Sequence, residues 1–423
     1  MPATASPGPN RPASRYPDAA TTRAAADAFD LRQLPASFYD NPYPTYHAVR
    51  ECTPIRWLAP NSVLLTRYAD IVAIYKDAKL FSSDKQAEFK PKFGDGKLYE
   101  HHTTSLIFND PPLHTRVRKI IAGALNPRAV ADLEGPMTAM VDGLLDRMAA
   151  KGEADIIADL AAAVPIEVIG NLLAIPHDAR SPLRDWSIAI LGALEPQPTA
   201  DMLAIGETAV EEFLAYLRHL IADRRTAPGN PDRDVLTRLI LGEQGGEKLS
   251  EVELLHNCIF ILNAGHETTT NLIGNGLYAL LEWPEERARL IADPSLIPSA
   301  IEEFLRFDSP VQLGNRLSTA DVGVAGETIL AGTFITIGIG AANRDPAMFP
   351  DPDRLDVGRT QNRHLAFASG VHVCVGLAIA RMEGRVTVQR FLQRFPDYRL
   401  ARAPVRGGRA RFRGFTELPV LLR

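Results

Sequence analysis

Apolar residues recur at helical spacing through most of the chain, and they alternate only in short stretches towards its two ends. Helical spacing dominates from Thr115 to Gly242, where proline-containing turns interrupt it. Further helices are expected from Leu296 to just before Pro310 and from Val375 to Phe395. The pattern predicts a mainly α chain with a small β part.

The longest helix candidate runs from Glu251 to Glu282. Ser250 and Glu253 form a capping-box pattern at its start, and Trp283-Pro284 ends it. At about 1.5 Å per residue, such a helix spans roughly 48 Å and crosses the whole molecule. Its apolar centre, Ile259–Ala264, indicates that most of its faces are buried.

Short alternating stretches predict the β part. The expected strands are Ile55–Leu58, Val63–Thr66, a short one at Ile329, Phe334–Ile339 and Phe412–Leu422. The first two form a hairpin around Pro60-Asn61. Residues 82–109 are polar and contain Pro91, Gly94 and Gly96, so they are predicted to form a long loop. Loops of that length are often functional.

The first 28 residues differ from the rest of the chain. Residues 1–28 are rich in Ala, Pro, Ser, Thr and Arg and lack apolar periodicity, so they are predicted to be a disordered leader before one large domain at 29–423. The leader has no apolar core of the kind found in signal peptides, and Asp18 and Asp27 are unusual in a transit peptide.

Composition and charge narrow the class of protein. Of the 423 residues, 46% are hydrophobic and 23% charged, which is ordinary for a soluble globular protein. No stretch approaches the ~20 apolar residues that span a bilayer. A net charge of −5 argues against a nucleic-acid-binding surface over the whole protein. Cys52, Cys258 and Cys374 have neither zinc-site nor haem-attachment spacing, and they predict a reduced, cytoplasmic protein.

Cys374 has the most distinctive surroundings. It lies in the run FASGVHVCVG, residues 367–376, directly before a predicted helix. Unpaired N–H groups and the positive end of the helix dipole favour a thiolate there, and the flanking glycines allow a flat or bulky group to approach. Such a thiolate can bind a metal or act as a nucleophile. The alternative is a buried structural cysteine.

This run resembles the FxxGxHxCxG signature of the cytochrome P450 superfamily at every fixed position. The resemblance extends from about residue 38 to residue 423 and points to the soluble bacterial branch. It implies the cytochrome P450 fold, a single large domain with haem b between the long helix and the Cys374 loop. It also implies that Cys374 is the axial ligand of the haem iron.

The centre of the long helix carries a second motif, AGHETT at residues 264–269. A threonine that bonds back to the preceding turn can bend a buried helix and open space beside it. A zinc-protease HExxH site is excluded because position 270 is Thr. The motif resembles the family's A-G-x-[DE]-T-T oxygen-binding sequence. The resemblance implies that Glu267 and Thr268 are the catalytic acid–alcohol pair that delivers protons to bound dioxygen.

Charged residues elsewhere match two further family patterns. Glu303 and Arg306 match the buried ExxR pair, which Arg359 is expected to join. Taken alone, an i, i+3 pair of this kind is usually an exposed ion pair. Four basic residues match positions that hold the haem propionates, and His364 is a weaker fifth candidate. The four are His114, Arg118, Arg316 and His372.

The resemblance implies an oxidoreductase, a haem-thiolate monooxygenase that inserts one oxygen atom from O2 into a small or medium hydrophobic organic substrate. The chain has no flavin or dinucleotide glycine fingerprint and no iron–sulfur cysteine set. Electrons are therefore expected from NAD(P)H through a separate ferredoxin and ferredoxin reductase. Arg116, Lys119 and Arg128 could meet an acidic ferredoxin, or they could be ordinary solvated charges. We expect a monomer that binds neither nucleic acid nor membrane.

Three alternatives stay open at this point. A peroxide-driven enzyme or a non-redox enzyme on the same fold would be expected to lack the Glu267–Thr268 pair. A non-catalytic haem-binding module would be expected to lose Cys374 or that pair.

The substrate pocket is expected to be mostly apolar. Asn263 and Gln312 could orient one polar group, and His101 or His102 could supply a positive charge for a carboxylate. The predicted walls are residues 82–109, residues 186–205, Phe260, Asn263, Ala264, Leu313, Gly314 and Phe415.

Overall fold

Helices make up most of the structure. The computed structural model describes residues 15–125, 127–231, 234–244 and 247–422. In the first part of the chain the helices are α1 (Ala19–Ala28), α2 (Ala36–Asp40), α3 (Tyr43–Cys52), α4 (Tyr68–Lys76), α5 (Gln86–Phe93), α6 (Lys97–Thr104), α7 (Leu113–Ala124), α8 (Pro127–Lys151), α9 (Ala163–Leu172), α10 (Leu183–Gly192), α11 (Ala200–Thr226) and α12 (Val235–Leu241). The later helices are α13 (Glu251–Glu282), α14 (Pro284–Ala292), α15 (Ile297–Phe307), α16 (Ile339–Ala342) and α17 (Leu377–Arg394).

The strands are short and lie mainly towards the two ends of the chain. They are β1 (Ile55–Ala59), β2 (Ser62–Leu65), β3 (Phe81–Ser82), β4 (Glu153–Asp155), β5 (Glu243–Gln244), β6 (Glu247–Lys248), β7 (Leu313–Ser318), β8 (Val322–Val324), β9 (Glu327–Ile329), β10 (Phe334–Gly338), β11 (Arg399–Leu400), β12 (Val405–Arg406), β13 (Phe415–Glu417) and β14 (Pro419–Leu421). β1 and β2 form the predicted hairpin. The largest sheet has the order β1-β2-β10-β7-β3, with β10 parallel to β2 and antiparallel to β7.

Helix α13 is the central element, and its bounds are those predicted from the sequence. The Ser250 side chain accepts the Glu253 N–H, and the Glu253 carboxylate accepts the Ser250 N–H, which confirms the capping box. Helices α9, α10, α11, α15 and α17 pack around α13 and bury most of it. Phe260, Ala264 and Thr268 recur one turn apart and are less buried than their neighbours, so they mark an uncovered stripe. Within the described ranges, no helix is both long enough and apolar enough to cross a membrane.

Residues 82–109 are not the continuous loop that their polar composition predicts, because α5 and α6 lie within them. Phe89 and Leu98 are buried and anchor one helix each. Gly94, with φ of +62°, ends α5 between them. Helices this short depend on tertiary contacts, so helical spacing does not reveal them in the sequence.

The leader also differs from its prediction, because α1 occupies residues 19–28. Asp18 caps the helix by accepting the Thr21 N–H at 2.8 Å. Ala26 and Phe29 are buried at its end, where α1 packs against α3. Docking, rather than an amphipathic pattern, therefore stabilises this segment. Residues 1–14 of the predicted leader lie outside the described residues.

Candidate active site

The Cys374 loop is shaped by two residues in the left-handed region. Ala368 and Gly370 have φ values of +56° and +71°. A Cβ atom at Gly370 would collide with the backbone carbonyl oxygen of Tyr75, so only glycine fits this close approach. The Cys374 N–H donates to the Phe367 carbonyl oxygen at 2.9 Å, which fixes the loop shortly before α17 begins.

The electrostatics of the loop distinguish between the possible uses of the thiol. Burial raises the pKa of the Cys374 thiol, while the Gly376 N–H and the guanidinium groups of Arg118 and Arg381 oppose that rise. A thiol with a raised pKa stays protonated near neutral pH unless a coordinated cation displaces its proton. This setting argues against a free nucleophile and is compatible with a metal ligand or a buried structural cysteine.

Two arginines and two histidines gather beside this loop, and we call them the basic cluster: His114, Arg118, Arg316 and His372. The ring centroids of His114 and His372 lie 4.0 Å apart. Burial lowers the pKa of both histidines, and the charges of Arg118 and Arg316 lower it further. Arg316 donates to the carbonyl oxygen of Asn315 at 2.7 Å. Within the described part of the chain, neither arginine of the cluster lies within salt-bridge distance of a carboxylate.

The basic cluster fits a ligand that carries carboxylates. Both ring nitrogens of His114 and Nε2 of His372 are buried without a hydrogen-bond partner among the described residues. Buried polar atoms and cations without partners are unfavourable, and ligand carboxylates would satisfy them. The residues present therefore fit the propionates of haem b, with the Cys374 sulfur as the iron ligand.

His364 does not belong to this cluster. Its Nε2 lies 3.3 Å from Oε2 of Glu302, and its Nδ1 accepts the Ala366 N–H at 3.2 Å. Arg381 binds the same Glu302 carboxylate with two hydrogen bonds of 2.8 Å. Because both ring nitrogens are engaged, the fifth propionate candidate has a structural role instead.

Thr268 lies on the uncovered stripe of α13. Its Oγ1 donates to the carbonyl oxygen of Ala264 at 2.6 Å, which is the back-bonding that the AGHETT motif predicts. The hydroxyl oxygen keeps its lone pairs for a further donor. Thr268 can therefore accept one proton and pass on its own without leaving the helix surface.

Glu267, the residue before Thr268, is buried and forms an ion pair that no sequence motif predicts. Its Oε1 is bound by the guanidinium of Arg409, and its Oε2 is buried without a partner within the described ranges. Burial raises the pKa of Glu267, the charge of Arg409 lowers it, and Glu195 raises it. Arginines at nearly every second or third position from 402 to 413 were the only sequence signal for Arg409.

A second buried carboxyl near Thr268 was also missed. Glu383 of α17 is 1% exposed and lies close enough to the Thr269 hydroxyl, next to Thr268 in the chain, to interact with it. Burial raises the pKa of Glu383 to about 8, against the lowering by Thr269. The contact joins α17, which follows the Cys374 loop, to the centre of α13. A single acid within a helix forms no motif, so no pattern in the sequence distinguishes Glu383 from other acids.

The predicted trio of Glu303, Arg306 and Arg359 is assembled in the structure. Two hydrogen bonds of 2.7 Å join the Arg306 guanidinium to the Glu303 carboxylate, and both side chains are fully buried. Arg359 reaches the same carboxylate at 3.1 Å. The remaining Arg306 donors bind the carbonyl oxygens of Asn343 and Pro352 at 2.9 and 2.8 Å. This network binds chain segments together and is satisfied by protein groups alone.

The tail contributes a different aromatic residue to the predicted pocket. Phe415 packs 4.8 Å from Tyr278, towards the end of α13, and belongs to the main core. Phe412 instead joins a buried cluster with Phe89, Leu191 and Leu194. The predicted strand Phe412–Leu422 is broken into an irregular segment followed by β13 and β14, which moves Phe415 away from the site. We call Phe89, Leu191, Leu194 and Phe412, together with Phe93 and Phe108 that pack against them, the aromatic cluster.

The other residues predicted to line the pocket differ in whether their side chains are engaged by the protein. Asn263 is buried on α13 with both amide atoms unpartnered in the described chain, as expected of a group that orients a ligand. Gln312 uses Nε2 to bind the Ser309 carbonyl oxygen at 2.8 Å, so only its Oε1 is unpartnered within those ranges. Leu313 packs into the core beneath the sheet. Trp186 stacks on Phe213 at 4.9 Å between α10 and α11.

His101 and His102 do not supply the positive charge considered for them. Their ring centroids lie 5.0 Å apart, and His101 lies 5.6 Å from His256 of α13. Burial lowers the pKa of His102 to about 3 and that of His256 to about 4, and it holds the pKa of His101 well below the ordinary value. All three rings are therefore neutral near pH 7.

This cluster predicts an acid-sensitive fold. His102 stays neutral when buried, whereas in the unfolded chain it gains a proton near pH 6.5, so its contribution to stability is complete above that pH and is lost as the pH falls towards about 3. Each pH unit in this window lowers the free energy of unfolding by about 1.4 kcal/mol per buried histidine. His102→Leu should reduce that slope by this amount, measured by chemical denaturation between pH 6.5 and 4.5. His219→Leu, at an exposed position of α11, is the control. An unchanged slope in His102→Leu would contradict the neutral assignment.

The predicted ferredoxin-facing cations have different surroundings. Arg116 forms an ion pair with Glu253 at the start of α13 and donates to the Lys248 carbonyl oxygen at 3.2 Å, so it helps to hold α7 in place. Lys119 is exposed. Arg128 lies outside the residues whose side chains are described.

Known proteins share both the sequence and the fold. Residues 198–396 match the family model described as "Cytochrome P450". The chain is 38% identical over 387 residues to the vitamin D(3) 25-hydroxylase of Pseudonocardia autotrophica, with 90% of this chain and 93% of that protein covered. It is 36% identical over 391 residues to the cytochrome P450 monooxygenase PikC of Streptomyces venezuelae, with 90% and 91% covered. A crystal structure of P450BioI in complex with hexadec-9Z-enoic acid ligated acyl carrier protein matches with a TM-score of 0.85 and 32% identity, over 92% of this chain and 99% of that one.

Proposed function

The chain belongs to the cytochrome P450 family of haem b monooxygenases, and from this premise we propose that it inserts one oxygen atom from O2 into a small or medium hydrophobic substrate. Haem b, when bound, supplies an iron centre that activates dioxygen by reduction. The observation that carries the proposal is the basic cluster, whose unpartnered buried atoms lie beside the Cys374 loop. An acidic cofactor satisfies all of them at once.

Each side chain of the loop and the cluster then has one task. Cys374 is the iron ligand, and its thiolate makes the metal electron-rich. His114, Arg118, Arg316 and His372 hold the two propionates by charge and hydrogen bonds. Gly370 lets the loop pack closely against α4, which keeps the Cys374 sulfur in one position.

The residues of α13 supply protons. The hydroxyl of Thr268 donates a proton at Oγ1 and takes a replacement from a neighbouring group. Glu267 is the buried acid next to it in the chain, and burial raises its pKa, which favours the protonated form that a proton donor needs. The presence of this pair counts against a peroxide-driven or non-redox enzyme. It also counts against a non-catalytic haem-binding module, in which the pair would have no use.

The surroundings of the site support a hydrophobic substrate. The aromatic cluster joins α5, the end of α10 and the tail, and Asn263 offers one polar group nearby on α13. The vitamin D(3) hydroxylase and the acyl-chain complex are relatives whose named ligands are hydrophobic. A screen of a compound library for low- to high-spin shifts in the ferric spectrum identifies molecules that enter the site.

The reaction is tested with the hits of that screen. Turnover with a ferredoxin, its NAD(P)H-dependent reductase and isotopically labelled dioxygen should place one labelled oxygen atom in the product. Product formed with hydrogen peroxide but not with dioxygen and the electron donors would overturn the proposal.

A decrease in rate with rising salt would support electron transfer through exposed cations such as Lys119. Gel filtration of the working enzyme tests the proposed monomer.

Thr268→Ala should separate electron consumption from product formation. Substrate binding and the first electron transfer need no hydroxyl, so both should survive. Loss of one positioned proton-transfer group lowers the affected step by about 10²–10⁴-fold. NAD(P)H oxidation should continue while hydrogen peroxide replaces organic product, as measured by product formed per NAD(P)H. Thr270→Ala, which removes a buried hydroxyl bonded to His266, is the matched control. A product yield equal to the wild type would contradict the role of Thr268.

A further inference from the structure

A chain of ion pairs connects the acid of α13 to two distant segments. Glu195 lies between α10 and α11, and Arg409 lies in the turn between β12 and β13, where Gly408 has φ of +61°. The Arg409 Nε donates to Glu195 Oε1 at 3.1 Å, and its Nη1 binds Glu267 Oε1. One guanidinium therefore serves two carboxylates.

The two carboxylates are held very differently. Glu195 Oε2 accepts the N–H groups of Ala410 and Arg411 at 2.9 and 3.0 Å, while its Oε1 accepts the bond from Arg409. Cationic Lys92 and Arg411 also lie close enough to interact with it. Glu267 has a single partner, Arg409, and its Oε2 is buried without one in the described chain. Glu195 therefore has more hydrogen-bond partners than Glu267 and is the stronger competitor for the charge of Arg409.

Arg409 does not depend on Glu267 for its position. The guanidinium lies 4.8 Å from the centre of the Phe412 ring and is also bound by Glu195. Its Nη2 is buried without a partner within the described ranges. The cation is thus fixed by its own loop and by Glu195, and the Glu267 carboxyl must adapt to it.

We propose that the Glu195–Arg409 ion pair is a positioning device that keeps one proton on Oε2 of Glu267, the residue before Thr268 on α13. Arg409 orients the carboxyl through Oε1, while the competing charge of Glu195 prevents Arg409 from stabilising full ionisation of Glu267. When Thr268 passes on its proton, the Oε2 proton replaces it through an intervening water molecule, and Glu267 is left as a carboxylate paired with Arg409. A proton from solvent water then restores the resting state. This inference rests on the proposed function, in which Glu267 delivers protons.

Infrared spectroscopy of the ferric protein without substrate tests the stored proton directly. The carbonyl band of the protonated carboxyl is the one that Glu267→Gln abolishes. Glu195→Gln frees Arg409 to stabilise the Glu267 carboxylate, so the band should disappear at lower pH than in the wild type. Arg409→Ala removes the cation paired with Glu267, so the band should persist to higher pH, and Arg409→Lys should restore most of the wild-type behaviour. If the Glu195–Arg409 pair had a purely structural role, Glu195→Gln and Arg409→Ala would not move the pH at which the band disappears in opposite directions.

Turnover gives the second readout. Glu195→Gln should lower the product formed per NAD(P)H by roughly tenfold near neutral pH, a smaller loss than removal of a proton-transfer group itself. Glu207→Gln is the matched control, because Glu207 likewise accepts two backbone N–H groups but lies on α11, apart from this chain of ion pairs. In Arg409→Ala, a second Glu195→Gln change should have no further effect on the band.

The outcomes separate this inference from the function on which it rests. If Glu267→Gln forms product as efficiently as the wild type, the proton-delivery role of Glu267 is wrong. If Glu267→Gln uncouples the reaction while Glu195→Gln leaves the band and the yield unchanged, only the positioning role is wrong. Because Glu195→Gln preserves shape and backbone hydrogen bonds, the test holds even if Arg409→Ala fails to fold.

Discussion

Cys374→His is expected to give a folded protein that binds haem but lacks the reduced carbon-monoxide absorption band typical of thiolate ligation. The basic cluster is unchanged in this variant, so the contacts proposed for the propionates survive. An imidazole can bind iron, but it donates less electron density than a thiolate, so the monooxygenase reaction should fall to the background level of free haem. Absorption spectra of the reduced protein under carbon monoxide and product formation measure the two effects.

A second cysteine provides the control for this substitution. Cys52, at the end of α3, is half-buried like Cys374 and belongs to a different part of the fold. Cys52→His should keep the thiolate band and the activity. A thiolate band retained in Cys374→His would mean that another group binds the iron, and the assignment of the loop would have to be abandoned.

Local sequence signals were enough to predict the elements that frame this site. The capping box at Ser250 and the stop at Pro284 lie within a few residues of the ends of α13, so both bounds followed from nearest neighbours. The Cys374 loop was recognised through its resemblance to a family signature, because the group that requires glycine at position 370, the Tyr75 carbonyl, is distant in sequence. Where a motif records a local geometric constraint, the sequence alone determines the element.

Elements that depend on distant partners were not predictable in this way. Helix α6 begins where the Glu207 carboxylate accepts the N–H groups of Lys97 and Leu98, the latter at 3.0 Å. That partner lies about a hundred residues away on α11, so no window around residue 97 contains the signal. Phe412, and not the predicted Phe415, lies near the site for the same reason. The path of the tail is set by its hydrogen bonds to the distant Glu195.

The ion-pair partners of the charged residues in the site could not be predicted from the sequence either. The acid Glu267 could be selected from its motif, yet its partner Arg409 and the competing Glu195 come from two other regions of the chain. A sequence displays each charge but not its pairing, and pairing determines which carboxyl holds a proton. The basic cluster was predictable only as four separate positions. Its unpartnered nitrogens, which indicate an acidic ligand, are visible only in the fold.

Arg306→Ala is expected to yield little folded protein and almost no bound haem. The substitution leaves the Glu303 carboxylate fully buried, with Arg359 as its remaining cation. It also frees the carbonyl oxygens of Asn343 and Pro352. Breaking a buried ion pair costs about 3–5 kcal/mol, a large share of the roughly 5–15 kcal/mol that stabilises a domain. Soluble yield, the haem-to-protein ratio and the melting temperature measure the effect.

Two further variants distinguish a scaffold role from a catalytic one. Replacing the pair together, as Glu303→Leu with Arg306→Met, removes both buried charges and should restore folding at least partly, because apolar pairs of similar volume often replace buried ion pairs. Arg402→Ala breaks an exposed ion pair with Glu417 and should change stability by only about 0–1 kcal/mol. If Arg306→Ala instead purifies with full haem content and an unchanged melting temperature but no activity, Arg306 acts in the reaction itself. Since protein groups satisfy the Glu303 and Arg306 network completely, we expect the loss to appear in folding before it appears in catalysis.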